Sequence, residues 1–351
     1  MPGDERDIFD RLDSIGDTRD SNLQNVLGNT GYRRLINYTA TQSGGFAGVQ
    51  TSLDELMILR VNESNEDLIS ATPKAGGTAI WLERGAVRPF LFGDNVWRWS
   101  IRDNDWIILF PYFLHNEKYL LIPSEDYWDF RRPGGSKVFA AWPEDAPRLE
   151  ADFPHLYDYL RANEEALRRR ERQKFAIGRS DEWRWYDLAY PRSLLEANRP
   201  KLVAQLLARS RQFAADPEGK YLFQAGGKGG GVYGISPLRQ DDLWHLLGLL
   251  NSEVTDFYLR HITQFYNPSG SSSYADAYLK YIPIPAVQPE ARVGIEASAR
   301  HLEEITGTAG HSSTRFHHGR TNSLRSERRS RWRKRGTINP CPRSTASRLT
   351  S

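Results

Sequence analysis

The pattern of hydrophobic and polar positions predicts β-strands across the first half of the chain. Within residues 105–112 a continuous apolar run follows Asp105 and is ended by Pro111, which is typical of a central strand. Residues 119–123 are predicted to form a strand that pairs with this central strand in a hairpin or lies next to it. Between positions 97 and 101, aromatic or apolar residues alternate with polar ones, and this alternation predicts a half-buried strand.

Helical spacing is clearest in the second half, where residues 241–260 predict a single helix. Its apolar positions recur on one face; they are Leu243, Leu247, Leu250, Val254 and Phe257. The adjacent Asp241 and Asp242 are predicted to be its N-cap and first turn.

Two further elements are predicted between the strands and this helix. An earlier helix is expected after Asp152, an N-cap candidate, because Pro154 suits a first helical turn. Its predicted buried face consists of Leu156, Leu160 and Leu167. Residues 212–223 predict a β-hairpin whose type I turn lies at residues 216–219, because proline stands second and glycine fourth.

Composition separates the last 45 residues from the rest of the chain. Residues 307–351 contain ten arginines and Lys334 against the single acid Glu327, a charge of +10; since the whole chain carries +3, the remainder carries −7. This Ser/Arg-rich stretch has little apolar periodicity and predicts a disordered basic tail, with out-of-frame translation as the alternative. The acidic body confines any DNA-binding surface to a local basic patch.

The remaining composition points to a globular protein of a reducing compartment. Hydrophobic residues make up 39% of the chain and aromatic residues 12%, enough for a packed core. Cys341 is the only cysteine, so no disulfide framework forms, which fits a cytosol. No apolar run approaches ~20 residues, and the polar N-terminus does not look like a signal peptide. A cytoplasmic location is therefore predicted.

Motifs for nucleotide, metal or hydrolytic chemistry are absent or out of context. Residues 229–234 match the dinucleotide fingerprint, but Ile-Ser-Pro follows where a helix should open. The histidines of the body show no metal-ligand spacing, and Ser271–Ser273 lie outside any Gly-x-Ser-x-Gly elbow. The sequence therefore assigns no catalytic and no metal-binding residue.

Seven segments, taken in order, resemble one family. The most specific are residues 242–258, Asp-Leu-Trp-His-Leu-Leu-Gly-Leu-Leu-Asn-Ser-Glu-Val-Thr-Asp-Phe-Tyr, and residues 277–285, Ala-Tyr-Leu-Lys-Tyr-Ile-Pro-Ile-Pro. The others are residues 46–59, 87–99, 106–112, 153–170, and 185–188 together with 199–203. In this order they resemble the TaqI-like specificity domain, the target-recognition half of many adenine-N6 DNA methyltransferases and of Eco57I-type restriction–modification enzymes.

The resemblance implies an α+β fold, with a mixed sheet and helices that face a methyltransferase domain across a DNA-filled cleft. It divides the chain into an N-terminal remnant or linker (residues 1–45), a target-recognition domain (46–305) and the disordered tail (306–351). The expected function is the DNA-reading part of a site-specific adenine-N6 methyltransferase or restriction–modification system of a prokaryote. Its expected partner is double-stranded DNA.

The catalytic half of that family is not evident in the chain. Adenine-N6 methylation needs a glycine-rich cofactor loop and an Asn-Pro-Pro-aromatic motif that holds the flipped base. Residues 267–270 read Asn-Pro-Ser-Gly, and residues 46–50 break the Phe-x-Gly-x-Gly cofactor pattern. The resemblance therefore implies that S-adenosylmethionine binds to a separate catalytic subunit or split-gene partner, not to this chain.

Besides a split gene, whose partner would supply catalysis, two alternatives stay open. Only 45 residues precede Phe46, where the family usually has several hundred. The chain is then either a recognition part whose partner supplies catalysis or an inactive fragment. A module that binds a restriction subunit and never contacts DNA is the other alternative.

Candidate DNA contacts follow from chemistry, because residues that contact bases differ from one such enzyme to the next. Arginine and lysine suit phosphates and guanine edges, whereas serine and tyrosine suit phosphates and stacking. The candidates lie in three segments and are Arg131, Arg132, Lys137, Lys228, Tyr266, Ser271, Ser272 and Tyr274. Solvated loop residues are the alternative interpretation of each one.

Overall fold

A computed structural model of the chain describes residues 6, 32–41, 43–102, 104–124, 143, 145–170, 185–191, 193–226, 230–263 and 272–307. The described residues all belong to one compact unit, which lies within Met1–Gly307. The predicted disordered tail lies outside them. Within the described ranges, no helix combines the length and apolarity that a membrane crossing requires.

The described residues combine strands and helices, which confirms the α+β class. The strands are β1 (Tyr32–Arg34), β2 (Ile58–Ser64), β3 (Leu68–Pro73), β4 (Ile80–Glu83), β5 (Val87–Leu91), β6 (Trp106–Leu109), β7 (Tyr112–His115), β8 (Lys118–Leu121), β9 (Lys201–Gln205), β10 (Leu207–Ala208), β11 (Phe213–Asp216), β12 (Leu222–Phe223), β13 (Val232–Ile235), β14 (Ser272–Ser273) and β15 (Pro283–Pro285). The helices are α1 (Asp54–Met57), α2 (Leu149–Asp152), α3 (Pro154–Ala162), α4 (Glu164–Arg168), α5 (Leu194–Ala197), α6 (Leu243–Leu250), α7 (Glu253–Ile262), α8 (Asp276–Leu279) and α9 (residues 289–307).

A six-stranded sheet in the order β12-β5-β6-β2-β3-β4 forms the first core. Strand β6 lies between β5 and β2, so the prediction of a central strand in residues 105–112 is confirmed. Ile107, Ile108 and Leu109 are buried because both faces of an interior strand are covered. After Pro111 the chain enters β7, which pairs with β8, so residues 118–121 form a hairpin with β7 and not with the central strand β6.

A three-stranded sheet in the order β11-β9-β13 forms the second core, against which α6 and α7 pack. The predicted hairpin at residues 212–223 is wrong. Gly219 N donates to Asp216 O at 3.2 Å, so the chain does turn there. However, β11 pairs with β9 and β12 pairs in parallel with β5. The turn therefore carries the chain from one sheet to the other.

The single helix predicted at residues 241–260 is two helices, because Asn251 and Ser252 interrupt it between α6 and α7. The Ser252 hydroxyl accepts a hydrogen bond from Thr255 N at 3.3 Å and caps α7. Asp241 and Asp242 lie in a 3-10 turn, and Asp242 is the N-cap residue of α6, as predicted, although its side chain makes no capping hydrogen bond. Instead, the Asp242 carboxylate contacts the Arg292 guanidinium at 2.9 Å.

The cap of α3 comes from another part of the chain. Asp152 lies in α2, where its carboxylate accepts from Arg148 N, so the prediction that it caps α3 is wrong. The two oxygens of Glu83, at the end of β4, accept from the backbone N–H groups of His155 at 2.8 Å and Leu156 at 3.1 Å. A carboxylate at a helix N-terminus is stabilised by the helix dipole. The predicted buried face of this region is confirmed, since Leu156, Leu160 and Leu167 are buried.

Part of the predicted N-terminal remnant or linker belongs to the folded unit. Strand β1 pairs antiparallel with β15, so that Tyr32 faces Pro285 and Arg34 faces Pro283. Leu35, directly after β1, is fully buried in the second core. A C-terminal strand therefore holds residues 32–34 in the folded unit, and the domain limit at Phe46 stays a prediction.

We expect the stability of the fold to fall as the pH rises from about 10 to about 12, because burial raises the pKa of Tyr159 from 10.0 to about 12. Because the pKa is raised, the folded state holds the phenol proton more tightly than the unfolded state does. The resulting contribution to folding stability is complete below pH 10 and is lost as the pH rises through 12. Urea denaturation at about pH 9 and about pH 11 measures this change. The Tyr159→Phe variant also loses the 2.9 Å hydrogen bond to Leu56 O, and its stability should fall less between the two pH values than that of wild type. An equal fall contradicts the assignment of the pH dependence to the Tyr159 phenol.

Candidate nucleic-acid interface

A tight hairpin at residues 96–101 connects β5 to β6, and we call it the tip hairpin. Val96 bridges Ile101, and Trp97 N donates to Ser100 O at 3.0 Å, so Arg98 and Trp99 form the turn. The half-buried strand predicted here is wrong because the chain reverses within it. Trp97 is 42% exposed and Arg98 is exposed, whereas Trp99 is half-buried.

The turn depends on an unusual backbone conformation at Trp99, whose φ of 77° lies in the left-handed region. Such a conformation costs about 1–3 kcal/mol for a non-glycine residue and persists only when its surroundings enforce it. Trp99 N donates to Phe213 O at 2.9 Å. The ring lines a shallow cavity of 420 Å³ together with Gly248 of α6 and Ile295 of α9. Trp99 therefore anchors the tip hairpin and directs its neighbours outward.

Asn251, between α6 and α7, is the second anchor of the tip hairpin and is fully buried. Its side-chain oxygen accepts from Phe213 N at 3.2 Å, and its amide nitrogen donates to Phe213 O at 2.8 Å. Its backbone carbonyl accepts from the Arg98 guanidinium at 3.0 Å. One residue thus positions the start of β11 and the turn of the hairpin. Sequence reasoning missed it, although its interruption of the apolar helical pattern was a usable signal.

The described ends of the glycine loop (residues 225–226 and 230–231) and of the serine segment (residues 272–274) both come next to Leu206. Leu206 N donates to Gly231 O, and Tyr274 N donates to Leu206 O, each at 2.8 Å. Strand β10 then pairs with β14. Gly93 N, at the base of the tip hairpin, donates to Gly230 O at 3.0 Å. The described residues that flank two of the three predicted segments therefore meet at Leu206, and the tip hairpin adjoins the first of them.

Tyr274 is the predicted site residue whose side chain is described most completely. Its ring is 1% exposed and stacks on Phe213, with ring centroids 5.3 Å apart. Burial raises the pKa of its phenol above the ordinary value. The expectation of a stacking surface at Tyr274 is corrected, because its ring belongs to the second core and is closed to a base.

The other predicted site residues are described only in part or not at all. Ser272 lies in β14, paired with Ala208, and its side chain is outside the described atoms. The remainder lie outside the described residues; they are Arg131, Arg132, Lys137, Lys228, Tyr266 and Ser271. Their assignment to DNA contacts stays a prediction.

Five arginines are linked to the tip hairpin directly or through a shared partner, and we call them the arginine surface. Arg98 and Arg102 belong to the hairpin or its base, and Arg211 is near enough to Arg98 to lower its pKa. Arg260 shares Asp256 with Arg211 and contacts the backbone carbonyl of Arg209. The Arg102 guanidinium lies 3.4 Å from the centroid of the Trp97 ring, a cation–π contact that fixes both side chains. Partial burial, and then the nearby positive charge of Arg211, lower the pKa of Arg98. Like charges are therefore held close together at this end of the molecule.

Two acids partly offset the charge of the arginine surface. Asp256 contacts Arg260 at 2.9 Å and Arg211 at 3.3 Å, and Glu253 contacts Arg211 at 3.6 Å. The Arg260 guanidinium also donates to Arg209 O at 3.4 Å. A third acid, Asp94, lies at the base of the tip hairpin, where its backbone carbonyl accepts from Trp97 Nε1 at 3.0 Å. The five arginines still outnumber these three acids among the described residues, so the region is positive. A concentrated positive patch on an otherwise acidic body attracts anions of high charge density.

No metal site is evident among the residues described: they contain no group of three or more His, Cys, Asp or Glu side chains placed to hold an ion. A scan against models of known protein families finds no match, and no curated protein is significantly similar to this chain.

Proposed function

We propose that this protein is the DNA-binding target-recognition part of an adenine-N6 DNA methyltransferase or restriction–modification system. A separate catalytic partner would bind S-adenosylmethionine and transfer the methyl group. The arginine surface is the observation that carries the proposal, because it provides the local basic patch that DNA binding by an acidic body requires.

The loops around the arginine surface support the same proposal. Backbone and side-chain groups of exposed loops on a rigid scaffold are the usual means of recognition. The glycine loop and the tip hairpin meet at Gly93 and Gly230, so both have a fixed base on packed strands. The second core is closely packed, with Leu246, Leu247 and Leu250 fully buried. A site of this kind can hold a duplex in a defined orientation.

Binding to a pool of random duplexes across a salt series tests the proposal. The full chain should bind with an affinity that falls linearly on a log–log plot against salt, because phosphate contacts release counterions. The bound fraction should also be enriched in one short sequence. A chain that ends at Gly307, with a melting transition matching that of the full chain, controls for the tail and should keep the enrichment.

The failures of this experiment separate the alternatives. Binding that requires the tail and enriches no sequence contradicts target recognition by the body. Absence of binding to any duplex at low salt contradicts the DNA-binding function altogether and leaves an inactive fragment or a protein-interaction module.

A further inference from the structure

We propose that the tip hairpin enters the major groove of the DNA duplex, where Arg98 contacts base edges and Arg102 contacts the phosphate backbone. This inference rests on the proposed DNA-binding function and names the residue that determines its sequence preference. Arg98 lies in the segment, residues 97–101, that the sequence pattern alone predicts to be a strand.

The dimensions of the tip hairpin suit the major groove, which is wide enough to admit a two-stranded β-ribbon. The hairpin closes through the Val96–Ile101 bridge, and its turn consists of Arg98 and Trp99 alone. Because Trp99 is half-buried and packs against the second core, Arg98 is the exposed side chain of the turn. A narrow tip with one long basic side chain can reach base edges.

Arg98 is held in place before any ligand binds. One guanidinium nitrogen donates to Asn251 O at 3.0 Å, and the guanidinium carbon lies 5.3 Å from the centroid of the Trp99 ring. A guanidinium has five N–H donors in a rigid fork, so one anchoring bond leaves others for a second partner. The acceptor pair O6 and N7 of guanine fits two such donors. Fixing the side chain in advance reduces the conformational entropy lost on binding.

Arg102 lies at the base of the tip hairpin, further from the turn, and the Trp97 ring supports its guanidinium. A charged group at this level of an inserted hairpin meets the sugar–phosphate backbone at the edge of the groove. Contacts to phosphates fix orientation and carry no sequence information. The two arginines are therefore expected to respond differently to substitution.

The test compares variants of the full chain on the duplex selected from the random pool and on its single-base variants. Arg98→Ala should lose about 5- to 150-fold of the discrimination at one base pair. Arg102→Ala should weaken binding to every sequence alike and reduce the salt slope by about 1. Trp97→Ala should resemble Arg102→Ala, since it removes the support of that guanidinium.

Matched controls come from the opposite end of β5. Arg84 is exposed and, like Arg98, donates to one backbone carbonyl, that of Asn65 at 2.7 Å. Trp81 is 40% exposed, close to the value for Trp97. Arg84→Ala and Trp81→Ala should leave affinity, salt slope and discrimination unchanged.

Methylation of guanine N7 by dimethyl sulfate reports directly on the major groove. Wild type should protect a guanine of the selected site, and Arg98→Ala at saturating concentration should not. If wild type selects a sequence while Arg98→Ala keeps full discrimination and full protection, the hairpin assignment is wrong and the DNA-binding function stands. If wild type selects no sequence, the proposed function itself fails, and the assignment falls with it.

Discussion

Replacing Lys201 by methionine should lower the free energy of unfolding by about 3–5 kcal/mol, the largest effect we expect from one substitution. The Lys201 ammonium is fully buried; it pairs with the buried Asp216 carboxylate and donates to Ala197 O at 2.8 Å. Burial lowers the pKa of Lys201, and the neighbouring Asp216 opposes this effect. Without Lys201, Asp216 becomes a buried charge with no counterion. Urea denaturation near neutral pH measures the loss.

Two further variants identify the cause of that loss. Lys220→Met changes an exposed lysine of the same turn and should alter stability by under about 0.5 kcal/mol. Adding Asp216→Asn to Lys201→Met removes the unpaired charge and keeps an oxygen that can accept from Lys220 N, at 2.9 Å in wild type. The double variant should therefore recover part of the loss. A double variant less stable than Lys201→Met contradicts the electrostatic explanation.

Replacing Asn251 by alanine should lower the free energy of unfolding by about 2–4 kcal/mol, because two buried backbone groups of Phe213 lose their side-chain partner. The same change should also weaken sequence discrimination, since Asn251 positions the start of β11, which in turn holds Trp99. Urea denaturation and duplex binding at a temperature well below the transition measure the two effects.

The control for Asn251 is an asparagine that binds only at the surface. Asn62 is exposed and donates to the Thr72 hydroxyl at 3.0 Å. Asn62→Ala should cost less than about 1 kcal/mol and leave DNA binding unchanged. If Asn251→Ala is no more destabilising than Asn62→Ala, the anchoring role of Asn251 is contradicted. If Asn251→Ala lowers the stability but keeps the sequence discrimination of wild type, Asn251 stabilises the fold and has no effect on DNA recognition.

The prediction of separate elements succeeded where one local signal decided the structure. The apolar run that contains Ile107 and Ile108 is an interior strand, because its side chains are apolar in both directions from the sheet. Leu156, Leu160 and Leu167 are buried, as helical spacing predicts. In both cases the burial pattern repeats within a few residues, so the sequence contains all the information needed.

Prediction failed where a distant residue decided the outcome. Glu83 caps a helix that begins 71 residues later, and Asp152, the local candidate, is used elsewhere. The turn at residues 216–219 has the sequence of a hairpin turn, but β9 and β5 offer separate partners to its two flanking strands. The side-chain period of residues 97–101 is that of a strand, but the contacts of Trp99 with Phe213 and α9 impose a reversal.

The sequence by itself determined the central strand, the buried positions Leu156, Leu160 and Leu167, and the contrast between an acidic body and a basic tail. These properties depend on composition and on spacing over a few residues. The apolar face predicted for residues 241–260 holds through Leu250 but not at Val254, which is 59% exposed. Only the tertiary structure decided that Trp99, Asn251 and Phe213 meet, and that five separate arginines form one surface linked to a hairpin. Such contacts join positions far apart in the chain, and no local pattern records which distant segments will pack together.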